Sequence, residues 1–87
     1  MSTTQVEIEV FSGPNCVHCE AAKKLLIENG IEFVERRIDN PDELAELQLR
    51  LPRAMALPQI FIDGEYIGND DDLRIRMTLA RSPFDTR

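Results

Sequence analysis

The sequence predicts an α/β chain of order β-α-β-α-β-β-α, a four-stranded mixed sheet with three flanking helices. Three observations carry that expectation. The opening "QVEIEVF" alternates Val6, Ile8 and Val10 against Gln5, Glu7 and Glu9, the period of a strand with one buried face. A helical segment and a second apolar run follow at once, a βαβ unit whose right-handed crossover makes a parallel pair. Farther on, Asp63-Gly64 between two β-rich runs is the strongest short hairpin signal, and so marks an antiparallel pair.

The elements follow in order. After "SGPN", Cys16 to Asn29 reads as a helix, with Ala21, Ala22, Leu25 and Leu26 on one face and Lys23, Lys24 and Glu28 turned outward. Gly30 supplies a left-handed stop. "IEFVERRI" is the second strand, with Ile31 and Phe33 in phase. The second helix opens on "NPDE": Asn40 caps it, Pro41 occupies the first turn, and Glu43 completes a capping box. Leu44, Leu47 and Leu51 recur at helical spacing until Pro52 ends it. "LPQIFI" and "EYI" flank the hairpin turn. "GNDDDL" enters the third helix, its acids at the positive end of the helix dipole. Leu73, Met77 and Ala80 face inward there, and Ser82-Pro83 closes it.

The 87 residues make one domain, residues 1–87, without linker or repeat. A chain of this length buries only about 60–65% of its unfolded surface. Its 43% hydrophobic content suits an ordinary small core. Ten basic against sixteen acidic residues leave a net charge of −6, which disfavours nucleic acid and anionic membranes. A soluble monomer is expected. The start "MSTTQVEIEV" has neither a basic region nor an apolar core of signal-peptide length, and no apolar run is long enough to span a bilayer. The expected compartment is therefore the reducing cytoplasm, where a C-x-x-C pair serves catalysis or metal binding more often than structure.

Cys16 and Cys19 are the only cysteines, placed where the first helix begins. The nucleophile in disulfide exchange is the thiolate, and an ordinary thiol with a pKa near about 8.5 is little ionised at neutral pH. A helix mouth aims unpaired N–H groups and the positive dipole end at the sulfur, and such sites lower thiol pKa values to about 3.5–7.5. A shift of about two units is worth about 2.7 kcal/mol of preference for the thiolate. Cys16 is the candidate attacking thiol, and Cys19, one turn later and shielded, the candidate resolving thiol. His18, the chain's only histidine, lies between them. It could add positive charge beside the thiolate or move a proton to a departing thiol; the plainer expectation is an exposed ring forming a wall. A closed zinc site would lack a fourth ligand.

Three motifs together resemble the glutaredoxin family, small glutathione-linked proteins of thioredoxin-like fold. They are "CVHC", "ALPQIFIDG" and "IGNDDDL", and the resemblance runs roughly from Val6 to Ala80. It implies a glutathione-dependent disulfide oxidoreductase acting on protein disulfides and on glutathione mixed disulfides. It also implies a cis Leu57–Pro58 bond facing the cysteines, with the backbone of Leu57 pairing a peptide-like substrate as an added strand. Asp70 and Asp71 match the pair that holds the γ-glutamyl end of glutathione, through backbone N–H groups for its carboxylate and a side chain for its amine. A helix-capping role for these acids is compatible with that.

The sequence also departs from the family's pattern. His18 stands where Tyr is usual. Gly13 replaces a frequent Lys or Arg for the glycine carboxylate of glutathione, and Ala45 takes a position that often carries Gln or Arg. Arg36, Arg37 and Arg53 are the candidate substitutes. Two alternatives share the fold: a redoxin donating electrons to ribonucleotide reductase, and a glutathione-dependent iron–sulfur carrier. Val17, in place of the usual Pro, removes one rigidity unfavourable to a cluster.

Overall fold

The computed structural model describes residues 7–53 and 56–85, with side chains as far as Thr78. Its elements follow the expected order: β1 (Ile8–Ser12), α1 (Val17–Glu28), β2 (Val34–Arg37), α2 (Pro41–Arg50), β3 (Gln59–Ile62), β4 (Glu65–Gly68) and α3 (Asp70–Asp85). The sheet order is β2-β1-β3-β4. β1 runs parallel to β2 and antiparallel to β3, which pairs antiparallel with β4. This is the mixed, thioredoxin-like sheet. Gln5 and Val6 of the expected first strand, and the side chain of Ala80, lie outside the described residues. Among the described residues, no helix is long and apolar enough to cross a membrane.

The two sides of the sheet are covered differently. Ile8, Val10 and Ile60 pack against Ala22 and Leu26 of α1 and Leu73 of α3. Phe11 and Phe61 pack on the other side against Leu47 of α2. β1 is therefore buried at all five positions, not on one face as the alternation implied. Glu9 is 5% exposed because α2 covers its side of the strand. Its carboxylate is held by Arg50 Nη1 and Nη2 (2.9 and 3.0 Å) and Arg36 Nε (2.9 Å). Those bonds, Arg50 foremost and against the opposing effect of burial, lower its pKa below the ordinary glutamate value. The Arg50 guanidinium lies 5.4 Å from the Phe11 ring centre and 4.8 Å from that of Phe61, in reach of cation–π attraction.

Four further local expectations change. Glu43 does not close a capping box on α2; its carboxylate meets Arg36 Nη1 at 3.3 Å, where that cation is already fixed by Glu9. Asn40 alone caps the helix, accepting from the Asp42 N–H at 2.8 Å. Lys23 is not turned outward: its side chain is 14% exposed and bridges Glu35 (2.8 Å) and Glu20 (3.0 Å). Glu35 also accepts from the Ser12 hydroxyl at 2.7 Å, so one ion pair joins α1 and β2 to the end of β1. The second strand is shorter than "IEFVERRI", but Ile31 and Phe33 still pack on the core from the segment before it. Finally, α3 continues to Asp85 through Ser82 and Pro83. The proline ring fixes φ at about −65°, itself a helical value, so the helix runs on past it although the missing N–H forfeits one bond.

Candidate active site

β1 delivers the chain into a short loop that ends at α1. Asn15 takes a left-handed conformation (φ 54°) and turns the backbone, and Cys16 (φ −116°, ψ 104°) becomes the extended N-cap. Its Sγ accepts the Cys19 N–H at 3.1 Å, a place usually filled by a Ser or Asp oxygen. Cys16 and Cys19 are joined as a disulfide, with Cα atoms 5.2 Å apart. Cys16 is half-buried, whereas Cys19 has no exposed surface. Attack from outside therefore meets Cys16 first.

The loop before β3 approaches from the other side. The Leu57–Pro58 bond is cis, and the Leu57 carbonyl oxygen lies 3.8 Å from Cys16 Sγ. Pro58 is fully buried. From here a cleft of about 320 Å³ extends past Tyr66 to the first turn of α3, with His18 also in its lining. His18, Leu57, Pro58, Asp70 and Asp71 thus line one groove, Cys16 lies beside its Leu57 end, and Cys19 is buried behind Cys16.

The three aspartates at its far end have separate tasks. Asp72 and Asn69 form a reciprocal capping box, each side chain accepting the other's N–H at 3.0 Å. Asp71 is exposed and pairs with Arg74 at 2.8 Å. Asp70 is buried, and its Oδ2 lies 3.0 Å from His18 Nδ1. The N–H groups of Asp70 and Asp71 open the helix, where no intrahelical carbonyl can accept them. An anion at this end of the groove would find these donors together with the positive end of the helix dipole.

Gly68 holds that arrangement in place. It sits at φ 121°, and a Cβ there would come within 2.6 Å of Asp72 Cγ. Gly68→Ala is expected to cost about 1–3 kcal/mol from the backbone conformation and to push Asp72 out of the cap. Urea unfolding checks the first effect, and lost hydrogen-exchange protection at the Asn69 and Asp72 amides checks the second.

The three candidate arginines separate clearly. Arg36 is bound to Glu9 and Glu43 under α2, and Arg37 to Asp39 at 2.9 Å. Arg53 stands beside the groove, in a hollow of about 400 Å³ formed with Leu51 and Pro52, and has no ionic partner among the described residues. The hollow is larger than the groove, but no residue of the cysteine helix lines it. Gln59 and Tyr66 line both, joined by a Tyr66 hydroxyl bond to Gln59 Oε1 at 2.7 Å. Sequence reasoning passed over Gln59; a lone amide at the start of the apolar run "QIFI" was the available signal. Gly13 is buried as well, and a Cβ there would lie 2.8 Å from Leu57 Cδ1. Any basic residue at that position must first move Leu57.

The glutaredoxin family model matches residues 8–67. Glutaredoxin 3 of Escherichia coli is 36% identical over 66 residues, covering 76% of this chain and 80% of that protein. A probable glutaredoxin of Synechocystis is 40% identical over 68 residues, 77% of each chain. Among solved structures, the Brucella melitensis glutaredoxin superposes with a TM-score of 0.71 at 34% identity, covering 91% of this chain and 86% of that one. A buckwheat glutaredoxin–glutathione complex does so with a TM-score of 0.71 at 25% identity, covering 85% and 70% respectively.

Proposed function

The chain belongs to the glutaredoxin family, and on that premise we propose that Cys16 attacks and Cys19 resolves in the reduction of protein disulfides and glutathione mixed disulfides. As a dithiol glutaredoxin it is a glutathione-dependent thiol–disulfide oxidoreductase. The observation that carries the finer assignment is the asymmetry of the pair, with Cys16 half-buried at the helix cap and Cys19 wholly buried behind it.

In the monothiol route, the Cys16 thiolate attacks the glutathionyl sulfur of a mixed disulfide. The protein thiol leaves as thiolate and takes a proton from solvent. A second glutathione thiolate then attacks the glutathionyl sulfur on Cys16, releasing glutathione disulfide and restoring the Cys16 thiolate. In the dithiol route, Cys16 forms a mixed disulfide with a target protein. Cys19 loses its proton and attacks Cys16 Sγ, releasing the reduced target and leaving the Cys16–Cys19 disulfide. Two glutathiones then reduce that disulfide, and glutathione disulfide is the product. A cytoplasmic setting suits this direction of electron flow, because its glutathione pool is kept reduced.

Glutathione would lie along the groove. Its γ-glutamyl carboxylate would meet the N–H groups of Asp70 and Asp71, and its amine the Asp70 carboxylate. Its cysteine backbone would pair with Leu57, and its glycine carboxylate would turn toward Arg53. A coupled assay with glutathione, glutathione reductase and NADPH on a mixed-disulfide substrate tests the reaction; no NADPH consumption above the uncatalysed rate would refute it. Within that assay, Arg53→Ala should raise the KM for glutathione about three- to tenfold, the effect of one exposed charge-assisted contact. The maximal rate should stay the same. An unchanged KM would remove Arg53 from the site.

A further inference from the structure

Asp70 has a partner before any ligand arrives. Its side chain is 5% exposed, and the atom that meets it is Nδ1 of the chain's only histidine, 52 residues away in sequence. The neighbouring carboxylates are engaged elsewhere, Asp72 in the helix cap and Asp71 with Arg74. The buried carboxylate of the groove is therefore already met from α1, by a ring that is itself 69% exposed.

We infer that His18 is an internal stand-in for the ligand's ammonium group, a positioning residue that holds Asp70 and must yield it when glutathione binds. The inference rests on the reading of Asp70 as partner of the γ-glutamyl amine. A carboxylate can accept several hydrogen bonds, but Asp70 is almost wholly buried, and the ring at 3.0 Å takes the Oδ2 face that an incoming ammonium would need. Imidazole and ammonium thus compete for Asp70. The competition lowers affinity for amine-bearing ligands and leaves ligands without the amine unaffected. The ring's exposure lets it swing into water, so yielding needs no movement of the backbone.

The test uses the oxidised protein and two probes that cannot reduce it, S-methylglutathione and its N-acetyl derivative, which lacks the ammonium. Affinities are measured by NMR titration for the wild type, His18→Phe and Asp70→Asn. His18→Phe keeps a ring and removes the donor. It should bind S-methylglutathione about three- to tenfold more tightly, the release of one partly screened charge-assisted bond, and should bind the N-acetyl probe as the wild type does. Equal or weaker binding of S-methylglutathione would overturn the inference, and so would an equal gain with both probes. Asp70→Asn separates the two levels of argument. If it binds both probes like the wild type, the amine does not meet Asp70, and that reading falls together with the inference. If it loses its preference for the free amine while His18→Phe gains none, the inference alone is overturned.

Discussion

Replacing Cys16 by serine is expected to abolish exchange with every disulfide substrate, a loss of about a thousandfold or more, whereas Cys19→Ser keeps most of the activity toward glutathione mixed disulfides. Serine at position 16 could still cap α1, so the fold should survive, but it supplies no thiolate at neutral pH. Cys19 cannot take over. It is wholly buried, and its own N–H is spent on Cys16 Sγ. In Cys19→Ser a second glutathione can still resolve the adduct on Cys16, so only the route through the intramolecular disulfide is lost. Reduction of protein disulfides should therefore fall far more than deglutathionylation in that variant. Stopped-flow and coupled assays on both substrate types check this, and equal losses from the two single substitutions would sink the assignment of roles.

The second large effect is expected beneath α2. Arg50→Ala removes the cation that binds both oxygens of Glu9, contacts Glu46 at 2.7 Å and lies over Phe11 and Phe61. Breaking a buried pair by removing one partner costs about 3–5 kcal/mol. Here Arg50 is 25% exposed and Arg36 remains on Glu9, so about 2–3 kcal/mol is expected. The loss should depend on pH. The folded pKa of Glu9 is lowered, so its contribution is fully present above the unfolded value near 4.5 and fades as pH falls through the folded one. Glu35 is lowered too, chiefly by Lys23 and then by Ser12, and contributes in the same window independently of Arg50. Urea unfolding at pH 7 and pH 3 should show a large gap between wild type and Arg50→Ala at the higher pH and a smaller one at the lower. An equal gap at both would mean that Arg50 acts through its ring contacts and not through its charge.

What the sequence by itself determined is what short spacings encode. The period of two in β1, the helical spacing of Ala22 and Leu26, the Asn40-Pro41 start of α2 and the Asp63-Gly64 turn (φ 52° and 83°) all act within a few residues. So does the placing of Cys16 one turn before Cys19. Those signals gave the element order and the location of the chemistry, and the resemblance added the cis Leu57–Pro58 bond. What only the tertiary structure decided is how groups far apart in the chain meet. The alternation in β1 could not reveal that α2 would cover the second face and bury Glu9, because that depends on where Arg36 and Arg50 arrive, 27 and 41 residues later. Nor could "CVHC" and "NDDD" reveal that His18 and Asp70 would meet in the groove's lining. At Gly13 the sequence shows only a missing charge, whereas in the fold Leu57, 44 positions on (57 − 13), fills the space beside it. Local conformational preference is written residue by residue, but a charge takes its partner from whatever the folded topology brings within about 3–4 Å, and no spacing along the chain contains that distance.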